Sequence, residues 1–186
     1  MNGKFHASAV RLETERLILR PWRETDLEDF YAYAQVDGVG QMAGWLPHES
    51  MEKSGRILEM FIAEDKTLAL EEKATGKVIG SLGLELLHNL DASFDHLQGR
   101  EIGYVLSKDY WGQGLMPEAV KAVIDYCFDT LSYDFLACGY FQWNHQSRRV
   151  NEKMGFRFYK EVEHETRYGT VERTNLNLLW NPNKTR

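Results

Sequence analysis

The sequence predicts a mixed α/β domain, and three observations carry that reading. Segments with strand-like alternation, such as "RLILR" (Arg16–Arg20), are interleaved with segments whose apolar residues recur at helical spacing. The elements run β α α β β β α β α β β, with a strand–loop–helix–strand crossover in the middle. No repeat, low-complexity tract or Pro/Gly/Ser linker interrupts the 186 residues, so 1–186 reads as one domain. A chain of this length buries roughly 70% of the surface its unfolded form exposes, and 43% apolar residues supply a core.

The first strand, Arg16–Arg20, stops at Pro21. In Thr25–Ala34, Leu27, Phe30, Tyr31 and Ala34 share a helical face, with Thr25 as N-cap. A second helix fits Glu49–Glu64, with Met51, Ile57, Leu58 and Phe61 toward the core. Between them the loop Asp37–His48, "DGVGQMAGWLPH", is rich in glycine and apolar residues. Thr67–Glu72 and Val78–Leu87 form a hairpin turned at Gly76. The polar stretch His88–Gly99 is a connection, and Arg100–Ser107 is a strand. From Pro117 to Leu131, an apolar stripe runs through Val120, Val123, Ile124, Cys127, Phe128 and Leu131, with Pro117 at the first helical position. Tyr133–Trp143 is a strand, and Asn144–Gly155 a short helix capped by Asn144 and ended by Gly155. Two late strands joined near Gly169 close the chain.

A net charge of −6 disfavours a nucleic-acid partner, which needs a basic surface. The same charge suits a cationic partner, and it also simply keeps a protein soluble. Cys127 and Cys138 lie on apolar-patterned elements with no CxxC spacing, so they read as buried, reduced thiols. The six histidines form no metal spacing, so no metal is expected. "MNGKFHASAV" is too short and polar for a signal peptide, and no apolar run approaches the ~18 residues a membrane span needs. A cytoplasmic protein with no membrane partner is the expectation.

The stretch "YWGQGLMPEAV" (Tyr110–Val120) reaches its helix through Gly112 and Gly114. The first N–H groups of a helix lack partners inside it, and with the helix dipole they favour an anion. Glycine lets the backbone come close to that anion. A P-loop would need GxxxxGK[ST], and a dinucleotide fingerprint would need a third glycine where Pro117 stands; neither fits. On the glycines alone, a phosphate cradle built from main chain and a plain strand-to-helix turn read equally well.

The wider context resembles a known family. "EIGYVLSKDYWGQGLMPEAV", followed by a strand and then "NHQSRRVNEKMGF", is similar to the GNAT superfamily of acyl-CoA-dependent N-acetyltransferases, and most to its RimJ/RimL-like branch. "TERLILRPW" and "TGKVIGSLGL" fit the same branch, and the resemblance covers about Leu12 to Trp180. It implies a central, mostly antiparallel twisted sheet of about six to seven strands, flanking helices, and a splayed strand pair that holds acetyl-CoA. The pyrophosphate would sit on the amides of Trp111, Gly112, Gln113, Gly114, Leu115 and Met116, with Gly114 the key glycine. Trp111 stands where the family's pattern has Gln or Arg, and Met116 where it has a small residue. Peptide groups of Val105 and Leu106 would bind the pantetheine arm and polarise the thioester carbonyl. Asn144 would contact the cofactor as well as cap its helix. Ser147 is a candidate to protonate the departing thiolate, with Tyr140 or Tyr159 as substitutes.

The implied reaction moves an acetyl group directly onto a primary amine, on a protein N-terminus or a small molecule. An ammonium has no lone pair, so a base must take its proton. Glu101 is the first candidate and Glu85 the second, while Glu118 and Glu152 read as helix-surface charges. Neither cysteine has the oriented histidine that an acyl-cysteine route needs, and His145 and His164 read as surface residues. The acceptor pocket is expected from the loop Asp37–His48, the second helix and the hairpin near Tyr168–Val171. Met42, Trp45 and Leu46 would be its walls, and Asp37 and Glu49 would attract a cationic amine. Monomer and homodimer are both compatible with the pattern. The alternative function is a non-catalytic acyl-CoA-binding sensor or interaction module.

Overall fold

The structure is a computed structural model and describes residues 1–184. One sheet of eight strands organises it: β1 (Leu12–Glu13), β2 (Leu17–Pro21), β3 (Thr67–Glu72), β4 (Val78–Glu85), β5 (Gly99–Leu106), β6 (Phe135–Phe141), β7 (Arg157–Glu165) and β8 (Val171–Trp180). Their order across the sheet is β1-β2-β3-β4-β5-β6-β8-β7. Named neighbours pair antiparallel except β5 and β6, which are parallel. The expected six to seven strands become eight because β1 adds a two-residue pairing, Leu12↔Leu19 and Glu13↔Ile18. Two residues are too few to show an alternation.

Helices α1 (Leu27–Ala34) and α2 (Met51–Glu64) cover one face, and α3 (Leu115–Asp125) and α4 (His145–Met154) the other. Period-2 alternation sorts the strand residues between these layers. Leu68 and Leu70 pack toward α3 while Ala69 packs toward α1 and α2. In β5, Ile102, Tyr104 and Leu106 face the α3 side and Val105 faces the other. A third cluster, with Phe94, Phe135 and Leu178 buried and Trp180 packed against them, seals the far end of the sheet.

Local chemistry explains where element ends differ from expectation. Thr25 is exposed and caps nothing; the buried Asp26 accepts the Arg23 N–H at 2.8 Å and Arg20 Nη1 and Nη2, each at 2.8 Å. α2 starts at Met51, capped by the Ser50 hydroxyl accepting from the Lys53 N–H, and Met51 is 43% exposed and so not a core residue. α3 begins two residues before Pro117, at Leu115. Pro117 still falls in the first turn, where its missing N–H costs nothing. A π-helical turn, Tyr126–Thr130, continues α3 and keeps Cys127 and Phe128 buried. Glu118 is no surface charge. It accepts from the Arg16 backbone and side chain, each at 2.8 Å, and from Thr14, tying α3 to the β1–β2 turn. Burial opposes its ionisation, but these bonds win and hold the carboxyl below its ordinary pKa.

Candidate active site

β5 pairs with β4 from Glu85↔Glu101 to Gly80↔Leu106, the end of the strand. With β6 it pairs only at Gly99↔Phe135, Arg100↔Leu136 and Glu101↔Ala137. β6 then follows β8 to Phe141↔Thr174, and the two parallel strands part. The alternation of bonded pairs in the β4–β5 ladder decides which peptide groups face this gap. Ser107 N–H donates to the Ile79 carbonyl at 2.7 Å. Val105, two residues back and opposite Ser81, therefore also directs its peptide groups to β4. Those of Tyr104 and Leu106 turn to the gap. Trp111 Nε1–H accordingly reaches the Leu106 carbonyl from that side, at 2.8 Å. Val105 thus brings its side chain to the cleft, and the gap-facing peptide groups are those of Tyr104 and Leu106, not those of Val105.

The gap opens into a cleft of about 840 Å³. Glu101, Val105, Leu106, Trp111, Gly112, Gly114, Leu115, Met116, Asn144 and Ser147 all line it. Gln113 does not; its Nε2 donates to the Asp109 carbonyl, and its own carbonyl accepts from Arg16. Gly112 and Gly114 have φ of +76° and +77°. A Cβ at Gly112 would meet nothing within 4 Å, and one at Gly114 only Arg16 Nη2 at 3.7 Å. Backbone conformation, then, is what calls for glycine here. Gly114 caps α3 with no side-chain bond, so the unpartnered amides of the first turn stand behind an open loop.

Glu101 sits at the root of the gap. Burial, with the Glu85 charge beside it, pushes its carboxyl up to about 7, and only the Gly139 N–H opposes the rise. Glu85 is itself engaged by Lys66 at 2.6 Å. Gly139 on β6 leaves the space that Glu101 uses: a Cβ there would lie 3.1 Å from Glu101 Oε1.

Across the gap, Tyr104 and Ser147 share a hydrogen bond of 2.8 Å between hydroxyls. Burial raises the Tyr104 pKa well above its ordinary value, so it is a neutral phenol. Ser147 is 9% exposed, so this serine is not a solvent-facing helix residue. Sequence reasoning does not single out Tyr104, although its place in "YVLS" puts it on the α3–α4 face by alternation alone. Tyr140 lines the cleft and accepts from Asn175 Nδ2. Tyr159 lies outside it, bonded to Asp91. Cys138 is buried with its thiol pushed up to about 12, and burial pushes Cys127 up as well.

The loop before α2 roofs the other lobe. Asn144 Nδ2 donates to the Met42 carbonyl at 3.2 Å, and the Arg167 backbone N–H to the Gly44 carbonyl at 2.8 Å. Asn144 Oδ1 meanwhile caps α4 through the Ser147 N–H. Met42, Trp45, Leu46 and Tyr168 line this lobe as expected, and His48, Lys53, Thr67, Ser81, His164 and Arg167 join them. Asp37 and Glu49 are exposed and do not line it. Val171 is exposed too.

Residues 16–157 match the family described as acetyltransferase (GNAT) domain. The chain belongs to the GNAT acetyltransferase family. It is 31% identical over 150 residues to the "Uncharacterized N-acetyltransferase YoaA" of Bacillus subtilis, covering 78% of this chain and 81% of that one. Its fold matches the ribosomal-protein-S5-alanine acetyltransferase of Vibrio fischeri with a TM-score of 0.71 at 22% identity, covering 95% and 100% of the two chains. It also matches the microcin C7 self-immunity acetyltransferase MccE, solved with acetyl-CoA and AMP, with a TM-score of 0.74 at 16% identity and 90% and 93% coverage.

GNAT acetyltransferases use acetyl-CoA, and the cleft suits it. The glycine loop offers main-chain amides to an anion, and Arg149 and Lys153 of α4 line the cleft with charges that suit phosphates. The gap-facing peptide groups of Tyr104 and Leu106 can accept an extended arm as an added strand would. Among the described residues no helix is long and apolar enough to cross a membrane.

Proposed function

We propose that this GNAT acetyltransferase is an N-acetyltransferase that acetylates a primary amine by direct attack within a ternary complex. One observation carries the reading: the splay of β5 from β6 places a carboxyl near neutral pKa, Glu101, at its root, and a neutral hydroxyl pair, Tyr104–Ser147, at its side. Acetyl-CoA supplies the acetyl group already activated as a thioester. Glu101 takes a proton from the acceptor ammonium, and a carboxylate titrating near 7 is matched to that task. The Leu106 N–H is the donor aimed into the gap where charge develops on the carbonyl oxygen. As the C–N bond forms the nitrogen sheds its second proton, and as the C–S bond breaks the sulfur leaves as thiolate and takes a proton from the Ser147 hydroxyl, which Tyr104 orients; the proton shed by the nitrogen replaces the one that Ser147 gives up, so the hydroxyl pair ends neutral. The products are an acetylated amine and free CoA.

The test is calorimetric titration with acetyl-CoA, against dephospho-CoA and ATP as controls. Tight one-site binding of acetyl-CoA is expected, and Gly114→Glu abolishes it by placing an anion on a left-handed residue in the cradle. A Gly114→Glu protein that still binds and turns over acetyl-CoA normally removes the cradle from the reading.

A further inference from the structure

The cleft holds more cations than carboxylates. Its carboxylates are Glu85 and Glu101, both on the sheet floor; its cations are Lys53, Arg149, Lys153 and Arg167. That balance runs against the chain's net charge of −6, so it is a local property of the site. Arg149 and Lys153 lie on α4 and suit the phosphates of acetyl-CoA. Lys53 and Arg167 come from other elements, the first turn of α2 and the β7–β8 turn. Neither side chain has a carboxylate partner among the described residues.

His48 lies within electrostatic reach of both. It is 5% exposed and lines the cleft, held by Phe30 edge-on at 5.3 Å and Trp45 at 5.0 Å. Its Nδ1 lies 2.7 Å from the Ser54 hydroxyl. Ser54 is fully buried and His48 is the one acceptor its hydroxyl reaches among the described residues. Ser54 therefore donates, because a buried hydroxyl left without an acceptor costs about 1–3 kcal/mol. Burial, helped by the Lys53 and Arg167 charges, pushes the His48 pKa down to about 4, so the ring is neutral. A neutral ring that accepts at Nδ1 carries its hydrogen on Nε2, and Nε2 has no partner among the described residues. The lobe thus offers three donors, His48 Nε2–H, Lys53 and Arg167, none of them paired with the two carboxylates of the floor among the described residues.

We infer that the acceptor is a small amine that also bears a carboxylate, its amine presented to Glu101 and its carboxylate held by His48, Lys53 and Arg167. The inference rests on the acetyl-transfer reading of the same cleft and narrows its substrate class. An unmodified peptide N-terminus has an amide where such an acceptor has its second charge, and leaves these donors unmatched.

The experiment measures CoA release from acetyl-CoA with matched acceptors: free α-, β- and γ-amino acids, the corresponding carboxamides, and tripeptides with the same first residue. The expected result is a free amino acid whose kcat/KM exceeds that of its carboxamide and tripeptide by about tenfold or more, the range for a hydrogen bond to a charged group. Arg167→Gln and Lys53→Gln, each changing a side chain with no carboxylate partner, raise KM for that acid about tenfold and shrink the acid-over-amide preference; Arg167→Lys restores part of it. The Arg167 contact with Gly44 is made by main chain, so the roof survives the substitution. Carboxamides or tripeptides acetylated at parity with the acids overturn the inference and leave acetyl transfer standing. An unaltered KM in both glutamine variants also overturns it, as does turnover with no free acid at all. Absence of acetyl-CoA binding in the titration overturns the acetyl-transfer reading beneath it.

Discussion

Replacing Glu101 with glutamine should make the protein more stable and less active, and the stability gain should depend on pH. The carboxyl titrates at about 7 in the fold against an ordinary 4.5, with burial as the main cause and the Glu85 charge second. At ~1.4 kcal/mol per pH unit, that gap amounts to about 3 kcal/mol. Below pH 4.5 both the folded and the unfolded chain keep the proton, and no penalty exists. Between 4.5 and 7 the unfolded chain releases its proton first, so wild-type stability falls. Above 7 the loss is complete. A glutamine side chain at this position carries no proton to lose and fills nearly the same volume. For a chain of this length each kcal/mol moves Tm by about 2–4 °C. Thermal unfolding should show Glu101→Gln within about 2–3 °C of wild type at about pH 5 and about 6–12 °C above it at about pH 8.5. The same variant should lose acetyl transfer by about a hundredfold or more. A Tm offset that is equal at both pH values would show that Glu101 is not a desolvated ionising group. Unchanged turnover would remove it as the base.

Further outcomes follow from contacts around Glu101 and elsewhere in the fold. Glu85→Gln removes the charge that helps to raise Glu101, so the acid limb of the kcat/KM profile should move to lower pH, whereas Lys66→Gln, which frees Glu85 from its 2.6 Å partner, should move it higher. Tyr104→Phe leaves the Ser147 hydroxyl without its phenol; kcat should fall about tenfold to a hundredfold with little change in the KM for acetyl-CoA, and a pure KM effect would make Tyr104 a positioning group. Asp26→Asn leaves a 3% exposed Arg20 guanidinium with Glu71 as its remaining carboxylate partner, and urea denaturation should show a loss of about 3–5 kcal/mol.

What can be read from the sequence is what depends on near neighbours. Asn144 announces both the start of α4 and its place at the cleft within one turn of chain, and Gly155 ends that helix at φ +83° as its position implies. Glu101 is legible as a strand carboxylate beside the glycine loop, but its pairing with Glu85 requires the β4–β5 register. The Tyr104–Ser147 bond spans 43 residues and is created by the splay. No local pattern encodes such a contact. Asp37 and Glu49 mislead because a place in the loop is not a place in the site: Asp37 is spent on Gln41 Nε2 at 2.7 Å, and both face solvent. His48 is hidden for the converse reason, since its meaning lies in Ser54, one helical turn into α2, and in two cations from distant elements.

The roof of the acceptor lobe is gripped at carbonyl oxygens, those of Met42 and Gly44. A grip on main chain does not read side chains. Met42, Ala43 and Leu46 can therefore be exchanged while the loop keeps its seat; Gly44 is fixed by its φ of +80°, Gln41 by its bonds to Asp37 and the Gly38 N–H, and Trp45 by its packing on His48 and Gly40. On the proposed reading, acceptor preference can drift through these three positions without disturbing Glu101, the glycine loop or the hydroxyl pair. A library confined to Met42, Ala43 and Leu46, which line the cleft, would test whether the choice of acceptor and the chemistry of transfer are written in separate parts of the chain.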